Sequence, residues 1–297
     1  MSTDSHPLSG VSLRSLKRRE RIFAWVCFLA SIVGIVMLAM LIIDVLWEAL
    51  VGYAIGLDPI TFLTQTASSD PFNAGFLGAI IGSLWLMLFT VIFSFVLGVG
   101  TAVYLEEYAP DNRTTRIIEA NLTNLAGVPS VVYGLLALAV FVNALSFGPI
   151  IIAGALALAL LVVPIIIVAS QEAFRAIPDG LRFASAATGA TKWQTIKNVL
   201  LPAAFPGIMT GTILALARAI GETAPLLMVG AVLSAGHVPG DPFSRFAGMP
   251  TEIYYWAFRP VTEFHHLAAY GIVVLLTLMF GLISVAIYLR NRYEVEI

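Results

Sequence analysis

The sequence predicts an all-α protein that crosses a membrane six times. Hydrophobic residues make up 59% of the 297 residues, charged residues make up only 11%, and the mean hydropathy is +0.92. A soluble globular chain carries roughly 25% charged residues, so this chain has too few to cover a water-soluble particle. Six segments are each apolar over about 20 residues, which is enough for a helix to cross a bilayer. None alternates like a barrel strand, and helices satisfy their own backbone hydrogen bonds in lipid.

The chain is predicted to begin with a basic cytoplasmic segment, residues 1–21, and to continue as one transmembrane domain, residues 22–297. The first span is expected to be an uncleaved anchor, because its apolar run is longer than the core of a signal peptide and no small-residue cleavage site follows it. The expected spans are residues 22–46, 78–104, 122–145, 149–170, 204–232 and 267–289.

The basic residues indicate which ends face the cytoplasm. Of the 16 lysines and arginines, 13 lie before span one, between spans two and three, between spans four and five, or after span six. The opposite loops hold only Arg245 and Arg259, and the last basic residue, Arg218, lies inside span five. Because positive loops stay on the cytoplasmic side, both termini are predicted to be cytoplasmic. The net charge of −2 gives no reason to expect nucleic acid as a partner.

Span five contains two charged residues, Arg218 and Glu222, which lie four residues apart and so share one helix face. Each costs about 2.5–3.5 kcal/mol at the centre of a membrane helix. Because residue 218 is the midpoint of 204–232, Arg218 is expected near the bilayer midplane. The pair either joins helices as a self-neutralising ion pair or forms a charged step on a polar pathway. We favour the pathway, because ionisable residues inside membranes are usually functional.

The helix is weakened beside this pair. Pro225 has no N–H to bond the Gly221 carbonyl, Gly221 lets the backbone bend, and Thr223 adds a hydroxyl. Such a break suits a polar pathway better than inert packing.

Span three is predicted to kink at Pro129, which lies between Gly127 and Gly134. Ser130 and Tyr133 place two hydroxyl groups beside this kink.

The longest cytoplasmic connection, residues 171–202, contains a Pro-Asp-Gly turn at 178–180 and a second break at Gly189. This pattern predicts two short helices at an angle. The chain has no P-loop motif, so ATP hydrolysis would need another chain. A metal site is not expected, because no second cluster joins the Glu263-Phe-His265-His266 stretch.

This loop resembles the Glu-Ala-Ala-x3-Gly-x9-Ile-x-Leu-Pro signature of the membrane subunits of bacterial and archaeal ABC importers. The residues that fit the spacing are Ala184, Ser185, Gly189, Val199, Leu201 and Pro202. One residue departs from it, because Phe183 stands at the position of the glutamate.

More specifically, the chain resembles the A-type permease subunits of phosphate ABC importers. The likeness covers roughly residues 75–290 and is carried by residues 127–134, 189–193 (ending at Trp193), 217–226 and 253–265. C-type permeases share the Arg-Ala-Ile-Gly-Glu-Thr core of span five but usually lack the Ala-Pro-Leu that follows it here.

The resemblance implies the core of a type I ABC importer permease and the ATP-driven import of inorganic phosphate. It implies a transport subunit rather than an enzyme, with no cofactor of its own, because ATP and Mg would bind to the partner ATPase subunits. The implied partners are a C-type permease, two ATP-binding subunits, a periplasmic or lipid-anchored phosphate-binding protein, and membrane lipid. The implied location is the prokaryotic inner membrane.

Three groups of site residues are predicted. Arg218 is the expected phosphate contact, because a guanidinium offers a planar fork to two oxygens. The predicted phosphate pathway is Arg218, Glu222, Thr223, Ser130 and Tyr133, and the predicted helix breaks are Pro129, Gly221 and Pro225. The predicted ATPase-coupling residues are Phe183, Ala184, Ser185, Gly189, Trp193, Val199, Leu201 and Pro202.

Several alternatives stay open at this stage. Within the ABC class, the chain fits a C-type permease or a permease for another oxyanion such as a phosphonate. Outside it, Arg218 and Glu222 fit a proton-coupled secondary transporter, although no internal repeat is visible. A purely structural subunit or an intramembrane enzyme lacks any supporting catalytic motif.

Overall fold

The computed structural model describes residues 13–231 and 236–292, which are helical apart from loops and one isolated bridge between Ile150 and Arg245. The α-helices in chain order are α1 (Leu13–Ala54), α2 (Pro59–Thr64), α3 (Leu77–Val103), α4 (Arg113–Leu125), α5 (Ser130–Ala137), α6 (Ile151–Arg175), α7 (Asp179–Ala187), α8 (Lys192–Thr195), α9 (Leu201–Ile220), α10 (Ala224–Val229), α11 (Met249–Ala257) and α12 (Thr262–Arg292). A 3-10 turn covers Pro71–Asn73, and π-helical turns extend α3 (Tyr104–Tyr108), extend α5 (Leu138–Ala144) and join α8 to α9 (Ile196–Leu200).

The all-α, six-span prediction is confirmed. Within the described ranges, five continuous helices are long and apolar enough to cross a membrane: Arg19–Ala54, Leu77–Tyr108, Ile151–Arg175, Lys192–Ile220 and Thr262–Arg292. A sixth span is counted when Arg113–Leu125 and Ser130–Ala144, which are bent by 105° across the residues between them, are taken together as one broken span.

Two predicted spans have different bounds because hydropathy does not register a backbone break. Residues 122–125 belong to α4, and the third span starts at Ser130, after Pro129. The fifth span does not run through 204–232: α9 ends at Ile220 and α10 begins at Ala224. Val232 and residues 1–12 of the predicted basic segment lie outside the described residues.

The predicted cytoplasmic loop is shorter at both ends than residues 171–202. Helix α6 continues to Arg175, and the helix that leads into span five already begins at Lys192. The connection therefore consists of α7 and the short turns on either side of it.

The connections and helix ends that were predicted to be cytoplasmic lie at one end of the bundle. Arg182 before α8 contacts Glu107 after α3, and Arg290 near the end of α12 contacts Thr210 of α9. At the opposite end, the last turns of α1 meet the start of α12, where Gly52 packs against His266. Both α1 and α12 thus have their chain-terminal ends on the same side.

Close helix crossings hold the centre of the bundle together. A Cβ atom at Gly207 would lie 2.7 Å from the Cβ of Ala173, and one at Gly211 would overlap Ala169. Glycines at this spacing let two membrane helices approach until their backbones nearly touch. As a result α6 and α9 are antiparallel neighbours, with residue 211 at the level of residue 169.

Candidate functional site

The break in span five places Arg218 in the last turn of a helix. The N–H of Gly221 closes the end of α9 by bonding the Arg218 carbonyl, and the chain resumes as α10 with Pro225 at its second position. Pro225 cannot supply the N–H that would continue the helix. The C-terminus of a helix carries partial negative charge, which favours a cation such as the Arg218 guanidinium.

Arg218 and Glu222 form an ion pair even though the helix ends between them. The Nε of Arg218 donates to Oε1 of Glu222 over 3.3 Å. The Arg218 side chain is 45% exposed and the Glu222 side chain only 17%. Within the described part of the chain, Glu222 uses Nε alone, which leaves both Nη groups of Arg218 for other contacts.

The break in span three is bridged by Tyr133. Its hydroxyl donates to the Leu125 carbonyl over 2.8 Å, so the side chain ties the end of α4 to the first turn of α5. Ser130 is half-buried at the first position of α5. The Tyr133 hydroxyl donates its proton in this hydrogen bond to the Leu125 carbonyl, so Tyr133 holds the two helices together at the break. Its place on the phosphate pathway stays a prediction.

The two broken spans touch each other. A Cβ atom at Gly134 would lie 2.7 Å from Cα of Pro225 and 3.0 Å from Cβ of Met228. Helices α5 and α10 therefore pack backbone to backbone, and both breaks lie beside the Arg218–Glu222 pair. Sequence patterns predicted each break separately, whereas the structure brings them together.

The depth of Arg218 follows from side chains at the polar end of the bundle. Nη1 of Arg290 lies 3.0 Å from Oγ1 of Thr210, and a guanidinium at the end of a spanning helix marks the polar boundary. Arg218 is eight residues beyond Thr210, or about 12 Å along the helix. A position near the middle of a hydrocarbon layer of about 30 Å stays a prediction for Arg218, although residue 218 is not the midpoint of one continuous helix.

The predicted coupling residues lie on two short helices joined by a turn at Gly189, and on the π-helical turn and the start of α9 that follow. Gly189 has φ +82°, a left-handed conformation that glycine adopts without strain. The Thr191 side chain caps α8 with Gln194, and the Ser185 and Thr195 hydroxyls lie 2.8 Å apart, which holds α7 against α8.

The outer surface of this segment carries two large aromatic side chains. Phe183 is 73% exposed and Trp193 is 60% exposed, while Ala184 beside them is also exposed. Val199 and Leu201 instead pack against the central core, and Pro202 is exposed at the start of α9. The predicted coupling residues therefore divide into an exposed group and a group that anchors the segment.

Sequence patterns missed a polar cluster that lies next to this segment. Glu106 and Glu107 lie in the π-helical turn after α3 and contact Arg175 and Arg182, respectively. The sequence did contain a signal for this cluster, namely two adjacent carboxylates at the end of span two and a basic loop between spans four and five.

The opposite end of the bundle holds a second feature that sequence patterns missed. Glu252 in α11 is only 2% exposed, and its Oε1 has no hydrogen-bond partner among residues 13–231 and 236–292. Burial raises the pKa of Glu252 to about 7, and the nearby Arg259 opposes this shift. Nearby, His266 Nδ1 lies 2.8 Å from Glu48 Oε2. Among the described residues, no three His, Cys, Asp or Glu side chains are grouped to hold a metal ion.

Comparison with known proteins decides the family. Residues 94–293 match the model of the binding-protein-dependent transport system inner membrane component family. The chain belongs to this family. A phosphate transport system permease protein (PstA 1) of Mycobacterium tuberculosis is 34% identical over 230 residues, or 75% of this chain and 74% of that protein. A probable ABC transporter permease protein (YqgI) of Bacillus subtilis is 36% identical over 62% of this chain and 63% of its own length.

Solved structures show the same fold. A bacterial alginate ABC transporter, crystallised with its alginate-bound periplasmic protein, aligns with a TM-score of 0.67 at 17% identity, over 94% of this chain and 97% of that chain. The permease is therefore a multi-pass membrane subunit with the type I importer fold, and a transport component rather than an enzyme. Family membership implies an ATPase and a substrate-binding protein as its partners.

Proposed function

We propose that this permease is the A-type subunit of an ATP-driven importer that moves inorganic phosphate into the cytoplasm. Relatives named as phosphate transport permeases support it, among them one from Haemophilus influenzae that is 30% identical over 86% of this chain and 88% of its own length. The single observation that carries the proposal is the Arg218 guanidinium, which pairs with Glu222 at the break in span five and has both Nη groups uncommitted to Glu222.

Phosphate binding at Arg218 follows from the shape of the guanidinium. Two parallel N–H groups match two phosphate oxygens, and such charge-assisted pairs are roughly twice as strong as neutral hydrogen bonds. A transport site must also release its ion, so binding has to stay weak. Glu222 meets this need, because it pairs with Arg218 when phosphate leaves and repels the anion while it is bound.

Thr223 and Ser130 supply neutral hydroxyls near the same breaks. A hydroxyl both donates and accepts, so it suits either protonation state of phosphate. We assign them auxiliary contacts along the path, with Tyr133 holding the break in shape.

ATP drives the cycle through the segment 176–202. Its exposed face, with Phe183 and Trp193, contacts the ATPase subunits, which bind ATP and Mg. Closure and reopening of the two ATPase subunits then rock the helices between outward and inward access. A C-type permease completes the pathway, and a periplasmic or lipid-anchored binding protein delivers phosphate from the opposite face. Both termini lie in the cytoplasm of a prokaryotic cell, with the subunit in the inner membrane.

The test is phosphate uptake by cells that lack their own phosphate importers and express this chain with its partner subunits. We expect uptake of labelled phosphate that excess sulfate and methylphosphonate do not inhibit. Inhibition by a phosphonate, or its uptake in place of phosphate, would assign the other oxyanion. Uptake that persists when the ATPase is deleted would instead establish a secondary transporter.

A further inference from the structure

We propose that six polar side chains at the cytoplasmic end form a coupling clasp that makes the ATPase-contacting helix α7 move together with the helix ends beside the phosphate site. The clasp consists of Glu106, Glu107, Glu119, Gln171, Arg175 and Arg182. These are positioning residues, and their assignment rests on the proposed function, which gives α7 its ATPase partner.

The inner part of the clasp joins α3, α4 and α6. Nη2 of Arg175 lies 2.6 Å from Glu106 Oε1 and 3.0 Å from Glu119 Oε1. The amide of Gln171, one turn earlier in α6, donates to the same two oxygens over 2.9 and 3.1 Å. Two donors from one helix therefore hold carboxylates from two others, and Gln171 is buried.

The outer part of the clasp fastens α7 to the same place. Arg182 binds Glu107 over 3.1 Å and also donates to the carbonyls of Phe174 and Ile177, both over 3.1 Å. The Phe174 carbonyl lies in the last turn of α6, where backbone acceptors lose their helical partners, and Ile177 lies two residues after the end of α6. The Arg182 and Glu107 side chains are only 26% and 10% exposed, unlike an ordinary surface pair.

The π-helical turn at Tyr104–Tyr108 makes both parts possible. Glu106 and Glu107 are adjacent in sequence, yet one reaches Arg175 and the other reaches Arg182. Turns of this kind are rare and occur often at functional sites, because the extra residue redirects side chains. The clasp places three carboxylates against two guanidinium groups. Removing one cation therefore leaves carboxylates that repel each other.

The clasp is connected to the proposed phosphate site through α4 and the two broken spans. Helix α4 is held by the clasp at Glu119 in its middle, and the Leu125 carbonyl at its C-terminal end accepts a hydrogen bond from Tyr133. Tyr133 adjoins Gly134, which packs on Pro225 beside the Arg218–Glu222 pair. A movement of α7 thus reaches both broken spans through these polar contacts and the backbone packing of Gly134 on Pro225.

The experiment reverses charges in the reconstituted complex. Arg182→Glu and Glu107→Arg are made singly and together, and phosphate uptake and ATP hydrolysis are measured in the same proteoliposomes. We expect each single variant to lower the phosphate imported per ATP at least ten-fold. The double variant should raise this ratio at least three-fold above either single variant, without full recovery, because a glutamate at 182 cannot donate to the Phe174 and Ile177 carbonyls. Arg116→Glu is the matched control, because its pair with Asp111 spans 2.9 Å with side chains 71% and 80% exposed. It should leave the ratio unchanged.

A second measurement does not depend on phosphate. In a Cys27→Ser background, spin labels at Ala187→Cys and Asn121→Cys report the distance between α7 and α4, and both positions are exposed. We expect one unchanged distance with and without ATP, and a nucleotide-dependent distance in Arg182→Glu. A distance that changes with ATP in the wild-type complex, or an unchanged uptake-to-ATP ratio in both single variants, overturns the clasp. Absence of phosphate uptake by the wild-type complex would instead refute the proposed function and leave the distance measurement to decide.

Discussion

Replacing Arg218 by lysine separates the charge at the phosphate site from its shape. Lysine keeps one positive charge but presents a single ammonium in place of a planar fork. In the wild type, Glu222 occupies Nε at 3.3 Å and leaves the two Nη groups to phosphate. A lysine that pairs with Glu222 retains no second, parallel donor pair for the anion. The perturbation therefore removes one charge-assisted hydrogen bond to phosphate while the ion pair stays in place.

The size of the effect follows from that one bond. A hydrogen bond to a charged group contributes about 1.5–3 kcal/mol, and each 1.4 kcal/mol corresponds to a factor of ten. Arg218→Lys is therefore expected to slow phosphate transport by about 10- to 100-fold, and Arg218→Ala by at least as much. Alanine removes the charge and leaves Glu222, a half-buried carboxylate, without its partner.

The assay is the initial rate of labelled phosphate uptake into ATP-loaded proteoliposomes with matched amounts of assembled complex. Arg245→Lys serves as the control, because Arg245 lies exposed in the loop before α11 and away from the pair. We expect the control to match the wild type. An Arg218→Lys rate within two-fold of the wild type would refute the fork as the phosphate contact.

Other predictions follow from the same structure. Glu222→Gln should lower the rate of phosphate release and make binding tighter, which equilibrium binding and single-turnover uptake distinguish; an unchanged rate shows that the negative charge is dispensable. Gly189→Val, at φ +82°, should lower uptake and ATP coupling together, whereas Gly180→Ala in the same segment, where a new Cβ meets nothing, should not. Gly134→Leu should push α5 away from Pro225 and abolish uptake without loss of membrane level. Burial raises the pKa of the Glu252 carboxyl to about 7, whereas the same carboxyl has a pKa of 4.5 in the unfolded chain. The folded state therefore binds the carboxyl proton more tightly than the unfolded chain does. Stability should therefore fall as pH rises from about 4.5 to 7, by about 3 kcal/mol, and thermal unfolding of Glu252→Gln should lose this dependence.

The spans could be predicted because this property is local in sequence. Each span is a continuous apolar run, and the breaks at Pro129 and Gly221 follow from the backbone chemistry of proline and glycine. Residues 204–232 are accordingly not one helix, because α9 ends at Ile220 and α10 begins at Ala224, on either side of the predicted break at Gly221.

The arrangement of the site could not be predicted because it depends on residues far apart in the chain. Glu107 and Arg182 are 75 residues apart in sequence, and no periodicity relates a carboxylate at the end of one span to a guanidinium two spans later. The contact of Gly134 with Pro225 is equally long-range. Glu252 was missed because a single glutamate in a short helix between two spans is normally exposed, whereas here α11 folds inward onto the bundle.

The most direct test of the central claim is phosphate uptake by the purified complex in proteoliposomes that contain ATP. We expect labelled phosphate to accumulate against its gradient only with both ATP and the phosphate-loaded binding protein, and we expect Arg218→Ala to abolish accumulation while the complex still assembles. Accumulation by the Arg218→Ala complex at the wild-type rate, or accumulation driven by a proton gradient without ATP, would contradict it.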